Sequence, residues 1–176
     1  FYNKYLFLVS SIGITAYGEI KNDRIILKQI NNNIGDFINK SQFKESHRFS
    51  IKDVTIIDNE IYVSLTKEVK NNCWNTWILS SVIDYNELKF KPFFSPTECV
   101  PEVNDDMEFH AHQTGGRIIS LGNNIGFSIG DYRLRYLSQD VKSVNGKIIK
   151  INKSTKAYEL LSMGHRNPQG LFYDES

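Results

Sequence analysis

The sequence predicts an all-β protein, a sandwich, barrel or propeller made of short antiparallel strands. Three observations carry this. The apolar residues come in short runs rich in Ile, Val, Phe and Tyr. Those runs are separated by Asn, Asp and Gly at close spacing, the residues that make tight turns. No segment sustains a 3.6-residue apolar period over the length of an ordinary helix.

The elements follow in order. Tyr5–Val9 reads as a strand, turned at Gly13 into a second over residues 14–20. Residues 24–30 alternate partly and end in Asn31-Asn32-Asn33. Residues 34–43 are a short helix or an irregular loop. The run 49–57 meets Asp58-Asn59, a pair that tolerates left-handed backbone, and returns as 60–65. A long aromatic and β-branched run covers 74–83; it turns at Asp84-Tyr85-Asn86 and returns through Leu88 to Phe94. In the second half, 117–121 turns at Gly122-Asn123-Asn124 into 125–129, and 147–151 turns at 152–155 into 157–161. Residues 136–141 are a second short helix or irregular loop, and Gly170–Ser176 stops just after what reads as a strand. One weak echo joins the halves: 54–63 and 118–127 share the pattern strand, polar turn, strand.

Composition narrows the function. The chain has 176 residues, 40% hydrophobic and 12% aromatic, enough apolar surface for a folded core and too much for a disordered chain. Lys and Arg number 21 against 20 Asp and Glu, a net charge of +1, so no positive excess points to nucleic acid. The longest apolar window, residues 5–17, is too short for a membrane helix and is broken by Ser10, Ser11 and Gly13. The first residue is Phe1, and no secretory leader pattern follows it, so the chain reads as a segment of a longer polypeptide. Cys73 and Cys99 lack metal or redox spacing. Two readings stay open for them: two buried thiols, or one bridge, which would stabilise the fold by about 3.5 kcal/mol in the chain-entropy picture.

Three polar clusters interrupt the β pattern, each at a strand end beside glycines: residues 109–117, 128–133 and 164–170. On a strand, His110 and His112 would share one face, and with Asp131 they suit a metal. Alternatively one imidazole, His112 held by Asp131, can serve as a general base. Arg117 and Arg166 add fixed positive charge; for Arg117 a structural clamp is the expected role.

The heptad Gly164-His165-Arg166-Asn167-Pro168-Gln169-Gly170, followed by Leu171, resembles the signature of the soluble glucose/sorbosone (aldose sugar) dehydrogenases. These are six-bladed β-propellers that use pyrroloquinoline quinone (PQQ) and calcium. Gly116-Arg117-Ile118 with Ile129-Gly130-Asp131, and Gly146–Ile151, are similar to strands that precede the heptad in that family. The resemblance is clearest over 49–173. It implies about half of a six-bladed β-propeller of four-stranded antiparallel blades, three to four blades in one domain spanning 1–176.

It further implies an oxidoreductase that oxidises an aldose sugar or similar alcohol. His112 would be the general base as hydride passes to the quinone, and Asp131 would orient it; Arg166 and Asn167 would bind the cofactor. The calcium ligands, and most basic residues for the quinone carboxylates, are expected beyond Ser176, so the segment alone is expected to be inactive. No metal ligand is assigned within the chain. The expected partner is a small-molecule sugar, with no nucleic acid and no membrane span, and the expected location is extracytoplasmic, periplasmic or secreted.

One departure matters. The family's His lies four residues before the Arg, and that position here is Gln113. Either a bulge at Gly115-Gly116 absorbs the extra residue and returns His112 to the site, or Gln113 occupies it. The second case favours a non-catalytic binding module for protein or glycan. A metal-dependent hydrolase on His110 and His112 ranks third.

Overall fold

In the computed structural model, residues 2–22, 24–45 and 48–174 are described, so the last two residues of the Gly170–Ser176 reading lie outside them. Fourteen strands form three sheets among these residues. The first contains β1 (Tyr5–Val9), β2 (Thr15–Lys21), β3 (Arg24–Ile25), β4 (Lys28–Asn32) and β8 (Glu87–Leu88). Its order is β1-β2-β4-β8, with β3 on β2. The second runs β10-β7-β6-β5, with β9 also on β7. Its strands are β5 (Ile51–Ile57), β6 (Glu60–Lys70), β7 (Cys73–Val82), β9 (Lys91–Phe94) and β10 (Val100–Pro101). The third is β11 (Gly115–Leu121), β12 (Asn124–Ile129), β13 (Lys147–Asn152) and β14 (Tyr158–Met163), in sequence order. All pairings are antiparallel except β4 with β8, which crosses back to seal the first sheet. The sheets are three blades of a propeller. The two helices, α1 (Lys40–Lys44) and α2 (Arg135–Gln139), are five residues each.

Turn chemistry sets the blades. Asp58 and Asn59 both have positive φ, 49° and 64°, giving the hairpin β5–β6 the twist its strands need. The echo noted above is real geometry: Val54 faces Val63 in one blade as Ile118 faces Phe127 in the next. Burial follows position. β6 is buried on both faces because its blade is covered on both sides. Ile61, Val63 and Leu65 pack toward Phe7, Ile30 and Ile34 of the first blade, while Tyr62 joins Phe94, Ile118 and Phe127 toward the third. β14, the last strand of its sheet, leaves Tyr158, Leu160 and Leu161 exposed.

Two expected elements differ. Residues 24–30 do not form one strand; Ile26 is 88% exposed and the run breaks into β3 and β4. Nor is there a strand among the described residues after Gly170. The preceding carbonyls of Pro168 and Gln169 are bound by the side chains of Ser128 and Arg117, which removes them from any ladder.

Cys73 and Cys99 are joined in a disulfide, tying the start of β7 to the chain entering β10. Beside it Trp74 stacks on Phe49, with centroids 3.9 Å apart, and Phe109 stacks on both Phe49 and Tyr132. This aromatic column fills the end of the molecule where the polar clusters gather.

Candidate active site

Antiparallel pairing brings the three polar clusters to one end of the third blade, because Gly115 pairs with Ile129, Ile129 with Lys147 and Lys147 with Met163. The segments 109–114, 130–133 and 164–170 therefore emerge side by side.

The expected bulge is present. Between Gly115 and Ile118 the register of β11 slips against β12, so that Gly116 and Arg117 together oppose Ser128. Gly115 and Gly116 take φ of 62° and 110°, backbone that residues with a Cβ rarely adopt. Ser128 Oγ takes up the slack: it accepts from the Arg117 N–H (3.0 Å) and donates to the Pro168 carbonyl (2.7 Å). The heptad is thereby strapped to the bulge. Asn167 Oδ1 accepts from the Gly115 N–H at 3.2 Å, and the Arg166 carbonyl accepts from the Asp131 N–H at 3.1 Å.

Arg117 is a clamp, as its position suggested. Its Nε donates to the Gln169 carbonyl and its Nη1 to Asp53 Oδ1 at 2.8 Å, while Asp53 Oδ2 accepts from the Ile118 N–H. Asp53 thus bolts the edge of the second blade to the third. Burial pushes its carboxyl upward, against the pull of the Ile118 N–H and the Arg117 charge.

The cofactor candidates Arg166 and Asn167 are brought to the bulge. Arg166 Nε donates to Gln113 Oε1 at 3.1 Å, which leaves the outer guanidinium nitrogens for a ligand. Asp131 is 1% exposed; its Oδ1 accepts from the Arg133 N–H at 2.8 Å. Burial raises its carboxyl, opposed by that bond and by the charges of Arg166 and Arg135. His112 is exposed, and its ring centroid lies 5.1 Å from that of His110. Both histidines sit in the turn before β11 and not on a strand, so strict alternation does not govern their faces. His110 Nδ1 is buried without a hydrogen-bond partner among the described residues.

Among the described residues no three His, Cys, Asp or Glu side chains gather as a metal site, so these residues do not fit calcium by themselves. The donor set does fit a flat, carbonyl- and carboxylate-bearing group: a guanidinium held at Nε, and an asparagine whose amide nitrogen is unspent among the described residues. Sequence reasoning missed Lys52, on the neighbouring strand edge beside Gly116. Its only sequence signal is one charge inside an apolar strand run. Gln113 was legible as a position, but not as the partner of Arg166.

The sequence model of the glucose/sorbosone dehydrogenase family matches residues 56–176. No curated protein matches the chain by sequence. Solved structures do match by fold. The PQQ-bound aldose sugar dehydrogenase of Streptomyces coelicolor superposes with a TM-score of 0.66 at 17% identity, over 93% of this chain and 48% of that one. The apo soluble aldose sugar dehydrogenase of Escherichia coli gives 0.65 at 13%, over 94% and 49%. A glucose dehydrogenase gives 0.64 at 14%, over 94% and 53%. The chain spans about half the length of each.

Proposed function

Since the chain belongs to the glucose/sorbosone dehydrogenase family, we propose that it carries part of the active site of a PQQ-dependent oxidoreductase acting on an aldose sugar or similar alcohol. The observation that supports this most is the strapping of Arg166 and Asn167 onto the Gly115–Gly116 bulge. Bound there, PQQ would supply the two-electron acceptor for the hydride leaving the sugar carbon.

The chain's own residues do the rest. A neutral His112 imidazole takes the proton of the sugar hydroxyl at its unprotonated ring nitrogen, and Asp131 steadies the cation that results. Arg166, fixed at Nε by Gln113, turns its remaining N–H groups toward negative charge that develops as the acceptor is reduced. The apolar column Phe49–Phe109–Tyr132 is packed in the core beneath these loops and backs them with apolar surface. The disulfide agrees with an extracytoplasmic setting, since such bonds persist in oxidising compartments.

A second reading draws on one specific contact. Gln113 Oε1, not an imidazole, faces Arg166. An amide cannot accept a proton near neutral pH, so a protein using Gln113 in this place would be a binding module for glycan or protein. Turnover of the intact protein, wild type and His112→Ala, separates the two. The dehydrogenase reading expects sugar oxidation to slow by roughly 10²–10⁴-fold, with PQQ affinity little changed and Gln113→Ala mild. No turnover in the wild type with PQQ and calcium supplied would favour the binding module, and unaltered turnover in His112→Ala would remove His112 from the role of base.

A further inference from the structure

We infer that Lys52 is a ligand-binding residue of this site, whose ammonium takes a carboxylate of the molecule bound there; this rests on the site assignment above. Lys52 is the extra residue of a second bulge. Ile51 pairs with Leu65 and Asp53 with Ser64, so Lys52 alone has no opposite number. Bulges redirect a side chain, and they gather beside active sites. This one lies against the other: a Cβ placed on Gly116 would come within 2.5 Å of Lys52 Cβ and 3.1 Å of its Cγ. The missing side chain at Gly116 is what admits the lysine stem. Lys52 stands at the same end of its blade as the heptad loop, since Asp53, next in sequence, is bonded to Arg117 and Arg117 to Gln169.

The ammonium is partly buried and has no carboxylate partner among the described residues. Nζ donates to the Arg48 carbonyl at 3.2 Å, its one bond among them, while Asp53 spends both oxygens on Arg117 and Ile118. An ammonium offers three donors, so two remain. A cation taken this far from water without an ion partner is costly unless something anionic joins it. Burial alone lowers its amine to about 8, still mostly protonated at neutral pH. The carboxylate has two possible sources with the same chemistry: the quinone, or an acidic sugar.

Calorimetry on the intact protein decides, using PQQ, D-glucuronate and, as the neutral control, D-glucose, with Lys52→Met, Lys52→Arg and Arg166→Ala. If the quinone supplies the carboxylate, Lys52→Met weakens PQQ binding roughly ten- to hundredfold, the span of a charge-assisted bond, and Lys52→Arg largely restores it. The wild-type affinity then declines as pH rises through about 8, while Lys52→Met shows a flat profile in that range. If the sugar supplies it, PQQ binding is unchanged and glucuronate binding weakens by that factor, with glucose unaffected. Unchanged affinity for both anions in Lys52→Met overturns the inference, even where Arg166→Ala weakens PQQ and so upholds the site assignment. A wild type that binds no PQQ overturns the site assignment instead, and Lys52 is then judged on glucuronate alone: weakened binding in Lys52→Met sustains it, and equal or absent binding ends it.

Discussion

Substituting Gly116 with alanine tests the double bulge most directly. The new methyl meets two separate penalties. The first is backbone: φ of 110° lies where residues with a Cβ are strained, a cost of about 1–3 kcal/mol. The second is overlap, because the Cβ would sit 2.5 Å from Lys52 Cβ, an atom fixed to the strand and unable to swing aside. Overpacking of this kind costs about 1–3 kcal/mol. Together Gly116→Ala is expected to lose about 2–6 kcal/mol. Gly122→Ala is the internal control. Its φ is also positive, 61°, but nothing lies within 4 Å of the new Cβ, so only a backbone cost of about 1–2 kcal/mol applies. The assay is urea denaturation of the two variants beside the wild type. With an m-value of about 1–3 kcal/mol/M, a loss of about 3 kcal/mol moves the midpoint by roughly 1–3 M, whereas Gly122→Ala moves it by about half as much. Equal shifts for the two alanines would refute the close approach of Lys52 to Gly116, and with it the facing of β5 and β11 at this point.

Other expectations follow from the same geometry. Lys147 is wholly buried and gives its ammonium to the carbonyls of Leu137, Ser138 and Asn145, so Lys147→Met, which strands those acceptors, should cost about 1–3 kcal/mol in thermal or urea melts. Replacing Cys73 and Cys99 by alanine should lower stability by about 3.5 kcal/mol under non-reducing conditions, and a reductant should then have no further effect. Asp131 carries a raised carboxyl, so its contribution favours the fold at acid pH, below the unfolded value of about 3.9, and is lost as pH rises through its higher folded value. Asp131→Asn should therefore flatten that stretch of the stability-pH profile without unfolding the protein at pH 7; a profile unchanged by the substitution would deny the burial of its charge. Far-ultraviolet circular dichroism should be dominated by β signal, since the described helices are five residues each.

Local chemistry was legible wherever it was decided by neighbours in sequence. Asp58-Asn59 announced its hairpin, the paired glycines announced a bulge, and the heptad announced the loop that straps it. What depended on distant partners was not legible. Ile26 and the residues of β14 look like core and are exposed, because whether an apolar strand is buried depends on a covering sheet that the strand's own sequence does not encode. Lys52 looks like a solvent-facing residue of a half-buried strand. Its burial comes from β11, more than sixty residues away, and from the absence of a side chain there. For His112 the step from residue to role stopped at the turn, since the two-residue alternation that would have fixed its face holds only on a strand.

Lys147 has a further consequence. Two of the carbonyls it holds belong to the last turn of α2, while the Gly146 N–H donates to the Gly130 carbonyl at 3.1 Å, just where the chain leaves β12. The excursion from 130 to 147 is thus drawn shut at its neck. A loop closed this way does not pass strain into the strands it joins, so its tip can be lengthened, shortened or exchanged while β12 and β13 keep their register. The exchange must spare Asp131 and the last turn of α2, because the Ser138 carbonyl accepts from the Gly164 N–H and the Arg166 carbonyl from the Asp131 N–H, so the base of this loop also holds the heptad in place.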